Sequence, residues 1–321
     1  MAQTLGWGIV GCGDVVEKKS GPSIAGADRS RIVAVMRRDV DKARPFAAAH
    51  DVALCTDDPA AVIEHPDVDI VYVATPPASH KDYVLAAARA GKPVLVEKPM
   101  GLTAAESRVM VDACDAAGVE LFVAYYRRFH PHALAMAELI DAGRLGTLAA
   151  AQIDFAIAAP PTYDWGWRIE PPISGGGLFV DVVSHRIDLM IRLLGEPATV
   201  RGLTATFGTT GAVEDVAAAT IRFANGAVCG VQGDFASART ADRFVIAGTA
   251  GAICSDNLDG HAFTFTPAGS AAEQYRFDPY PAPHLGLIRH IERVLEGREP
   301  NGASGREGLL TDIVIDEVLR R

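Results

Sequence analysis

The 321-residue sequence has few cysteines and no excess of basic residues, and each shortage excludes a class of protein. The five cysteines are an odd number, lie far apart and include no CxxC pair, so they predict reduced, buried thiols and neither a disulfide framework nor a zinc site. Lys and Arg number 30 against 40 Asp and Glu, which gives a formal net charge of -10. Proteins that bind nucleic-acid backbones usually carry a basic excess or a basic stripe, so no nucleic-acid partner is expected.

The sequence also lacks an uninterrupted apolar run of the roughly 20 residues that a membrane helix requires. Its first residues lack the basic and apolar segments of a secretory leader. We therefore expect a cytoplasmic protein with no membrane partner. Hydrophobic residues make up 49% of the chain, and its length is enough for about two domains of roughly 150 residues each.

Residues 1–124 predict an α/β domain with a parallel sheet. Short apolar runs rich in Val and Ile alternate with amphipathic stretches, as in βαβ units whose strands are covered on both faces. Residues 79–82 and 103–106 match capping boxes, and a helix is expected over 41–50 with Pro45 in its first turn. The predicted strands are 5–10, 31–36, 53–56, 69–75, 93–97 and 120–124.

Residues 125–321 predict a second domain, of the α+β class. Closely spaced strand-like runs joined by short turns favour antiparallel hairpins. The predicted strands are 148–158, 199–207, 216–223, 228–236, 243–248, 252–255 and 261–266. The predicted helices are 131–142, 177–194, 284–296 and 304–320.

The first strand is followed by a glycine-rich turn, Gly11-Cys12-Gly13-Asp14-Val15. This turn contains the first two glycines of a GxGxxG fingerprint, whose backbone approaches a dinucleotide pyrophosphate at a helix N-terminus. Val16 replaces the third glycine, so a glycine-rich turn of another α/β fold stays an alternative.

The second predicted strand ends in Arg37-Arg38-Asp39. Two guanidinium groups at this place suit a ribose 2′-phosphate, which favours NADP over NAD. The alternatives are two arginines that only face water and a ribose contact from Asp39.

The fourth and fifth predicted strands also end in candidate site residues. Thr75-Pro76-Pro77 follows the fourth strand at the carboxyl edge where open α/β sheets bind ligands, and His80 either faces that crevice or is a polar helix-start residue. The fifth strand ends in Glu97-Lys98-Pro99. Lys98 is either a usable proton donor with an adjacent carboxylate or an exposed lysine that forms an ion pair. The bond before Pro99 is a candidate for the cis form, which is common only before proline.

In the second domain Asp181, His185 and Asp188 occur at helical spacing on one face of an otherwise apolar helix. Buried ionisable groups need partners, and a carboxylate beside an imidazole suits a general acid and base. A satisfied core network and a metal site are the alternatives, but the set has too few ligands for a metal, so none is expected.

The motifs together resemble the glucose-fructose oxidoreductase / inositol dehydrogenase / MocA family over essentially the whole chain. The resemblance is carried by Gly11 and Gly13, by Glu97-Lys98-Pro99, and by the triple glycine 175–177 leading to Asp181 and His185. It implies a Rossmann domain followed by a domain with a large open, mainly antiparallel sheet whose outer face makes homodimer or homotetramer contacts. It also implies NAD(P)-dependent hydride transfer at a carbon of a sugar, cyclitol or related polyol.

Carried over by motif, the resemblance makes Lys98 the catalytic lysine and Asp181 with His185 the substrate-side pair. The expected cofactor contacts are Gly11, Cys12, Gly13, Asp14, Val15, Arg37, Arg38, Thr75, Pro76, Pro77, His80, Glu97 and Lys98. The expected substrate contacts are Lys98, Tyr126, Arg128, Trp167, Arg168, Asp181 and His185. Val16 and Val183 depart from the family pattern. Two other functions fit the same fold, an NAD-dependent glycosidase and a non-catalytic regulator that binds nucleotide and sugar.

Overall fold

The computed structural model describes residues 4–158, 165–208 and 213–320, which divide into two compact units. Unit 1 is Met1–Tyr126 with Tyr280–Leu309, and unit 2 is Arg127–Pro279 with Leu310–Arg321. The units are therefore not two consecutive stretches, because Tyr280–Leu309 folds with the N-terminal part of the chain. Two hydrogen bonds connect this segment to the N-terminal part: the carboxylate of Glu292 accepts from the backbone N–H of Arg29 (3.0 Å) and from the hydroxyl of Ser30 (2.7 Å).

Unit 1 contains the predicted parallel Rossmann sheet, with strand order β3-β2-β1-β4-β5-β6. The order reverses between β1 and β4, so the carboxyl ends of these two strands flank the crevice where such sheets bind ligands. The strands are β1 (Leu5–Val10), β2 (Ser30–Met36), β3 (Leu54–Thr56), β4 (Ile70–Val73), β5 (Val94–Val96) and β6 (Leu121–Val123).

The helices of unit 1 correct two details of the sequence analysis. Pro45 lacks an N–H, and the expected helix over 41–50 is divided into a 3-10 turn (Val40–Lys42) and a short α-helix with the proline in its first turn. The side chain of Ser79 does not cap the next helix but donates to Thr75 Oγ1 (2.8 Å), whereas Thr103 accepts from the Glu106 N–H as predicted. The helices are α1 (Gly21–Ala25), α2 (Arg44–Ala49), α3 (Pro59–Ile63), α4 (His80–Arg89) and α5 (Ala104–Ala117).

Unit 2 is built on an eight-stranded sheet of order β14-β13-β12-β11-β7-β10-β9-β8. All neighbouring pairs are antiparallel except β7 and β10, so the expected mainly antiparallel sheet is confirmed. The edge strand β14 was not predicted, because its residues are polar and only partly buried. The strands are β7 (Leu148–Ala156), β8 (Pro197–Ala205), β9 (Val216–Phe223), β10 (Val228–Asp234), β11 (Ala241–Gly248), β12 (Gly251–Ser255), β13 (Ala262–Pro267) and β14 (Glu273–Arg276).

One face of this sheet forms the core of unit 2. Alternate residues of β9 point inward, Ile221 and Phe223 among them, and pack in one cluster with side chains of α6 (Pro131–Asp141) and α8 (Ser184–Leu194). A short helix, α7 (Pro171–Ser174), precedes the triple glycine. The chain ends in α9 (Leu285–Leu295) of unit 1 and α10 (Gly305–Leu319), which belongs to unit 1 up to Leu309 and to unit 2 from Leu310. Across the described ranges, each helix is too short or too polar to span a bilayer.

The expected helix over 177–194 is continuous from residue 178 to residue 194, but its first half contains a π turn. Residues Phe179–Val183 form a π-helical turn, and the α-helix α8 begins only at Ser184. The preceding backbone is held close to a neighbouring segment, because a Cβ on Gly177 would lie 2.3 Å from the carbonyl oxygen of Glu214. A π turn inserts an extra residue and changes the phase of the helix face, so the spacing of Asp181 and His185 does not follow simple α-helical geometry.

Candidate functional site

The glycine-rich turn of unit 1 lies against the end of β4. Gly11 has φ +101°, and an added Cβ would be 2.7 Å from the backbone nitrogen of Thr75, so only glycine fits. The backbone N–H groups of Gly11 and Cys12 both donate to the carbonyl oxygen of Met36 (3.0 and 2.9 Å), which ties the turn to the end of β2. The turn is thus fixed at the carboxyl edge of three adjacent strands.

Gly13 faces open space at the start of the first helical segment. A Cβ added there would meet nothing closer than 4.0 Å, so the backbone of this residue is accessible beside the helix start at Asp14. An accessible glycine backbone at a helix N-terminus is what a pyrophosphate requires, and the residues present fit a dinucleotide. Val16, the departure from the fingerprint, is fully buried and begins a π turn over Val16–Ser20.

The three residues after β2 have different surroundings. Arg37 donates to Glu17 Oε1 (2.9 Å) and to the carbonyl oxygen of Lys42 (3.3 Å), whereas Arg38 is exposed. Asp39 lies 3.0 Å from the ammonium of Lys42, and hydrogen bonding to this lysine lowers the pKa of the carboxyl. The carboxylate of Asp39 is therefore already bound to a cation, and Arg38 is the guanidinium that the structure presents to solvent at this edge.

His80 joins the ends of β4 and β5. Its Nε2 lies 2.7 Å from the carbonyl oxygen of Thr75, and its Nδ1 lies 3.1 Å from the carbonyl oxygens of both Pro99 and Met100. The ring is fully buried, and burial lowers the pKa of His80 although the three carbonyl oxygens oppose this shift. His80 therefore links the backbone after β4 to the backbone just after Lys98, and its role as a cofactor contact stays a prediction.

Lys98 follows β5 and is half-buried, beside a carboxylate that the core holds in place. Glu97 is 8% exposed and accepts a hydrogen bond from the Tyr72 hydroxyl (2.6 Å). Burial raises the pKa of Glu97, while the neighbouring Lys98 ammonium and the Tyr72 hydroxyl oppose the rise. The Lys98–Pro99 peptide bond is cis. Sequence reasoning missed Tyr72, whose only signal was a hydroxyl-bearing side chain within an otherwise aliphatic strand.

The second set of predicted site residues lies in unit 2. Gly177 donates its N–H to Glu214 Oε1 (2.7 Å) and leads into the π turn that contains Asp181. His185 lies in the first turn of α8 and is 5% exposed. Val183 packs on β10, because a Cβ on Gly233 would lie 3.0 Å from Val183 Cγ2. The expected hydrogen bond between Asp181 and His185 stays a prediction.

The structure brings three of the predicted substrate residues together. Arg168 Nε lies 3.3 Å from Asp181 Oδ2, and the Arg168 guanidinium is 4.7 Å from the centre of the Trp167 ring. All three side chains are partly exposed. An aromatic surface with a guanidinium and a carboxylate beside it can bind the hydroxyl groups and the apolar face of a polyol.

Two other predicted substrate residues are buried within their own units. The guanidinium of Arg128 donates to both carboxylate oxygens of Asp188, and these side chains are 3% and 1% exposed. Asp188 is thus paired with Arg128 instead of joining Asp181 on one polar face. Tyr126 stacks on His284 with ring centres 4.4 Å apart and with the ammonium of Lys19 5.7 Å from its centre. His284 was not predicted, because it lies more than 150 positions further along the chain.

Two family models match the chain. Residues 5–125 match the oxidoreductase family with an NAD-binding Rossmann fold, and residues 133–254 match the GFO/IDH/MocA C-terminal domain. Oxidoreductase P35 of Formosa agariphila is 40% identical over 205 residues, which cover 63% of this chain and 64% of that protein, just under two thirds of its length. The 1,5-anhydro-D-fructose reductase of Ensifer adhaerens is 29% identical over 94% of this chain and 92% of its own.

A solved structure shares the fold over nearly the full length. The aldose-aldose oxidoreductase from Caulobacter crescentus, crystallised with glycerol, superposes with a TM-score of 0.89 at 27% identity. The superposition covers 99% of this chain and 97% of that one. This chain therefore shares the overall fold of that oxidoreductase.

Proposed function

The chain belongs to the GFO/IDH/MocA family of NAD(P)-dependent oxidoreductases, and we propose that it transfers a hydride between the nicotinamide and a carbon of a sugar, cyclitol or related polyol or keto-sugar. The observation that carries the proposal is the position of Lys98 at the carboxyl edge of β5, directly after the buried Glu97 and in the same unit as the glycine-rich turn. Ligands of such sheets bind at the carboxyl ends of the strands, so an ammonium there is placed to contact one.

We propose NADP as the preferred cofactor, with NAD as the alternative. The turn from Gly11 to Val15 would hold the pyrophosphate, and Thr75 with the two prolines after it would line the crevice. Arg38 would pair with a 2′-phosphate, because it is exposed at the end of β2 while Asp39 is bound to Lys42. When bound, the cofactor accepts or supplies the hydride.

In the proposed mechanism the chain supplies a proton and a stabilising charge. Lys98 donates a hydrogen bond to the reacting oxygen of the substrate and stabilises the negative charge that develops there. His185 takes a proton from the substrate hydroxyl, or returns one to the carbonyl oxygen, and Asp181 orients the ring and favours its charged form. Glu97 and His80 position the lysine and the backbone around it.

The substrate contacts in this proposal come from unit 2. Trp167 and Arg168 offer a stacking surface and a charged donor beside Asp181. Hydroxyl-rich rings present an apolar face of C–H groups and a rim of donors and acceptors, which suits such a surface. We propose in addition that the outer face of the unit 2 sheet forms the contact of a homodimer or homotetramer, which light scattering on the purified protein tests.

A cofactor-turnover screen tests the function. The purified protein is mixed with NADPH or NADH and keto-sugars, and with NADP or NAD and sugars or inositols, while absorbance at the nicotinamide band is followed. We expect net oxidation or reduction with at least one substrate class. Hydrolysis of a glycoside without net cofactor turnover would indicate the glycosidase alternative. Binding of nucleotide and sugar with no reaction of either would overturn the enzymatic proposal and indicate a regulator.

A further inference from the structure

Two neighbouring histidines meet a third, far along the chain, within unit 2. His130 and His132 lie at the start of α6, and His261 lies between the 3-10 turn Leu258–Gly260 and β13. One ring nitrogen from each lies within 4.8 Å of the other two, and the Nδ1 atoms of His132 and His261 are 3.3 Å apart. None of these residues belongs to the candidate active site.

The nitrogen spacing matches that of ligands around a zinc ion. Zn²⁺ binds imidazole nitrogen at about 2.0–2.1 Å with tetrahedral angles, which places two ligand nitrogens roughly 3.4 Å apart. The pair formed by His132 and His261 already has this separation. The third nitrogen needs to approach by little more than 1 Å, a distance that rotation of an imidazole ring covers.

The cluster lies partly inside unit 2. His130 and His132 are buried and His261 is half-buried, so the cluster has one side open to solvent. Asp259, two positions before His261, and Arg127, three positions before His130, form an ion pair at 2.8 Å, so the cation of Arg127 is neutralised.

The backbone at His261 supports a functional role for the cluster. This residue has φ +53°, in the left-handed region that side chains with a Cβ rarely adopt. Its carbonyl oxygen accepts from the N–H of Phe277, which fixes this conformation against the segment that follows β14. The strained backbone holds the His261 ring against His130 and His132, with ring centres 5.2 and 5.0 Å away.

We propose that His130, His132 and His261 bind a borderline divalent transition-metal ion of the Zn²⁺ class, with water as the fourth ligand. The ion would connect the start of α6 to the turn before β13. Three neutral nitrogen ligands and no thiolate are typical of zinc and its neighbours and do not suit Ca²⁺ or Mg²⁺, which prefer oxygen. Sequence reasoning expected no metal, because the set of Asp181, His185 and Asp188 offers too few ligands. It did not consider this cluster, in which 129 positions separate His132 from His261.

Metal binding to the full-length protein without a histidine tag tests the proposal. The protein is treated with a chelator, desalted and titrated with Zn²⁺ in competition with a chromophoric chelator, and Co²⁺ is added separately to record its visible spectrum. We expect one Zn²⁺ per chain and the intense visible absorption of four-coordinate Co²⁺. Absence of stoichiometric Zn²⁺ binding would overturn the proposal.

Variants show whether the ion sits at this cluster. His261→Asn is the main variant, because asparagine tolerates the left-handed backbone and the site is half-buried. Loss of a direct ligand should weaken Zn²⁺ binding by about 100-fold or more, the upper end of losses at outer-shell partners. His132→Asn should do the same, and circular dichroism shows whether either variant is folded. The half-buried His50→Asn in unit 1 is the matched control, and equal binding by His261→Asn and wild type would overturn the assignment.

Discussion

Tyr72 donates its hydroxyl proton to Oε1 of Glu97 across 2.6 Å, and both side chains lie in the core of unit 1. The carboxylate is thus held from inside the sheet, while the residue after it, Lys98, is only half-buried. Burial raises the pKa of Glu97, with the Lys98 ammonium opposing the rise. The carboxylate of Glu97 is thus buried directly before the Lys98 ammonium in the chain.

The first prediction concerns Glu97→Gln. A raised pKa means that the folded protein binds this proton more tightly than the unfolded chain does, so the contribution of Glu97 to stability falls as pH rises above its ordinary value of 4.5. Glutamine does not ionise and still accepts from Tyr72. The free energy of unfolding of Glu97→Gln, relative to wild type, should therefore rise with pH by up to about 1.4 kcal/mol per pH unit, while kcat falls.

Urea denaturation of both proteins between pH 4.5 and pH 8 measures this difference. The exposed Glu64→Gln serves as the control for loss of a carboxylate on the surface of unit 1. If the difference in free energy of unfolding between Glu97→Gln and wild type stays constant across the pH range, the prediction is contradicted. An unchanged kcat would contradict it as well.

The second prediction concerns the two proposed proton-transfer groups. Lys98→Met and His185→Asn should each lower kcat by about 100-fold to 10,000-fold, the range that general acid–base catalysis contributes. The dissociation constant of the cofactor, measured by nicotinamide fluorescence, should stay nearly unchanged, because neither group holds the pyrophosphate. Lys81→Met is the control, because Lys81 lies in the same unit as Lys98 and is paired with Glu106. Wild-type turnover in both variants would refute the assignment.

The third prediction concerns cofactor choice. Arg38→Ala removes the exposed guanidinium after β2, and a charge-assisted hydrogen bond is worth about 1.5–3 kcal/mol. The Kd for NADPH should therefore rise by about 10-fold to 100-fold while the Kd for NADH hardly changes. Arg44→Ala, an exposed arginine at the start of α2, is the matched control. If Arg38→Ala raises the Kd for NADPH and the Kd for NADH equally, Arg38 does not bind the 2′-phosphate.

The sequence predicted most strands of both sheets and the residues that lie at the strand ends. Runs such as 5–10 and 216–223 are recovered as β1 and β9 because Val, Ile and aromatic residues at strand spacing reflect local burial. The residues at strand ends follow directly from these runs. Local pattern also found the helix cap of Thr103, whose partner is three residues away.

What the sequence did not predict depends on contacts between distant residues. The π turn at Phe179–Val183 follows from the close approach of Gly177 to Glu214, and the pairing of Arg128 with Asp188 joins residues 60 positions apart. The role of Tyr72 depends on the register of β4 beside β5, which is not visible in either strand alone. The helical spacing predicted Asp188 on the same face as Asp181. In the structure its carboxylate instead pairs with the guanidinium of Arg128.

The fourth prediction concerns thiol reactivity. Burial raises the pKa of Cys12 and Cys229 to about 12 and that of Cys114 to about 11, from an ordinary value of 9.0. At pH 8 a thiol with a pKa of about 12 carries roughly 1,000-fold less thiolate than an ordinary one, and thiolate is the reactive form. Iodoacetamide should therefore leave these three unmodified in the folded protein and label the partly exposed Cys55 and Cys254.

Peptide mass spectrometry after alkylation at pH 8 measures each site, with urea-unfolded protein as the control in which all five cysteines react. Labelling of Cys12 in the folded protein at the rate of Cys55 would show that the glycine-rich turn opens. The expectation of five buried thiols is itself corrected by the structure, since two of the five are only partly buried.

The last prediction concerns Arg128 and Asp188, which bind each other through two hydrogen bonds while almost fully buried. Asp188→Ala leaves a buried guanidinium without this carboxylate and should lower the free energy of unfolding by about 3–5 kcal/mol. The double variant Arg128→Met with Asp188→Leu removes both charges and should cost much less, because no charge stays buried. Urea denaturation of Arg128→Met, of Asp188→Leu and of the double variant measures the coupling between the two side chains. A double variant destabilised by the sum of the two single effects would refute the prediction.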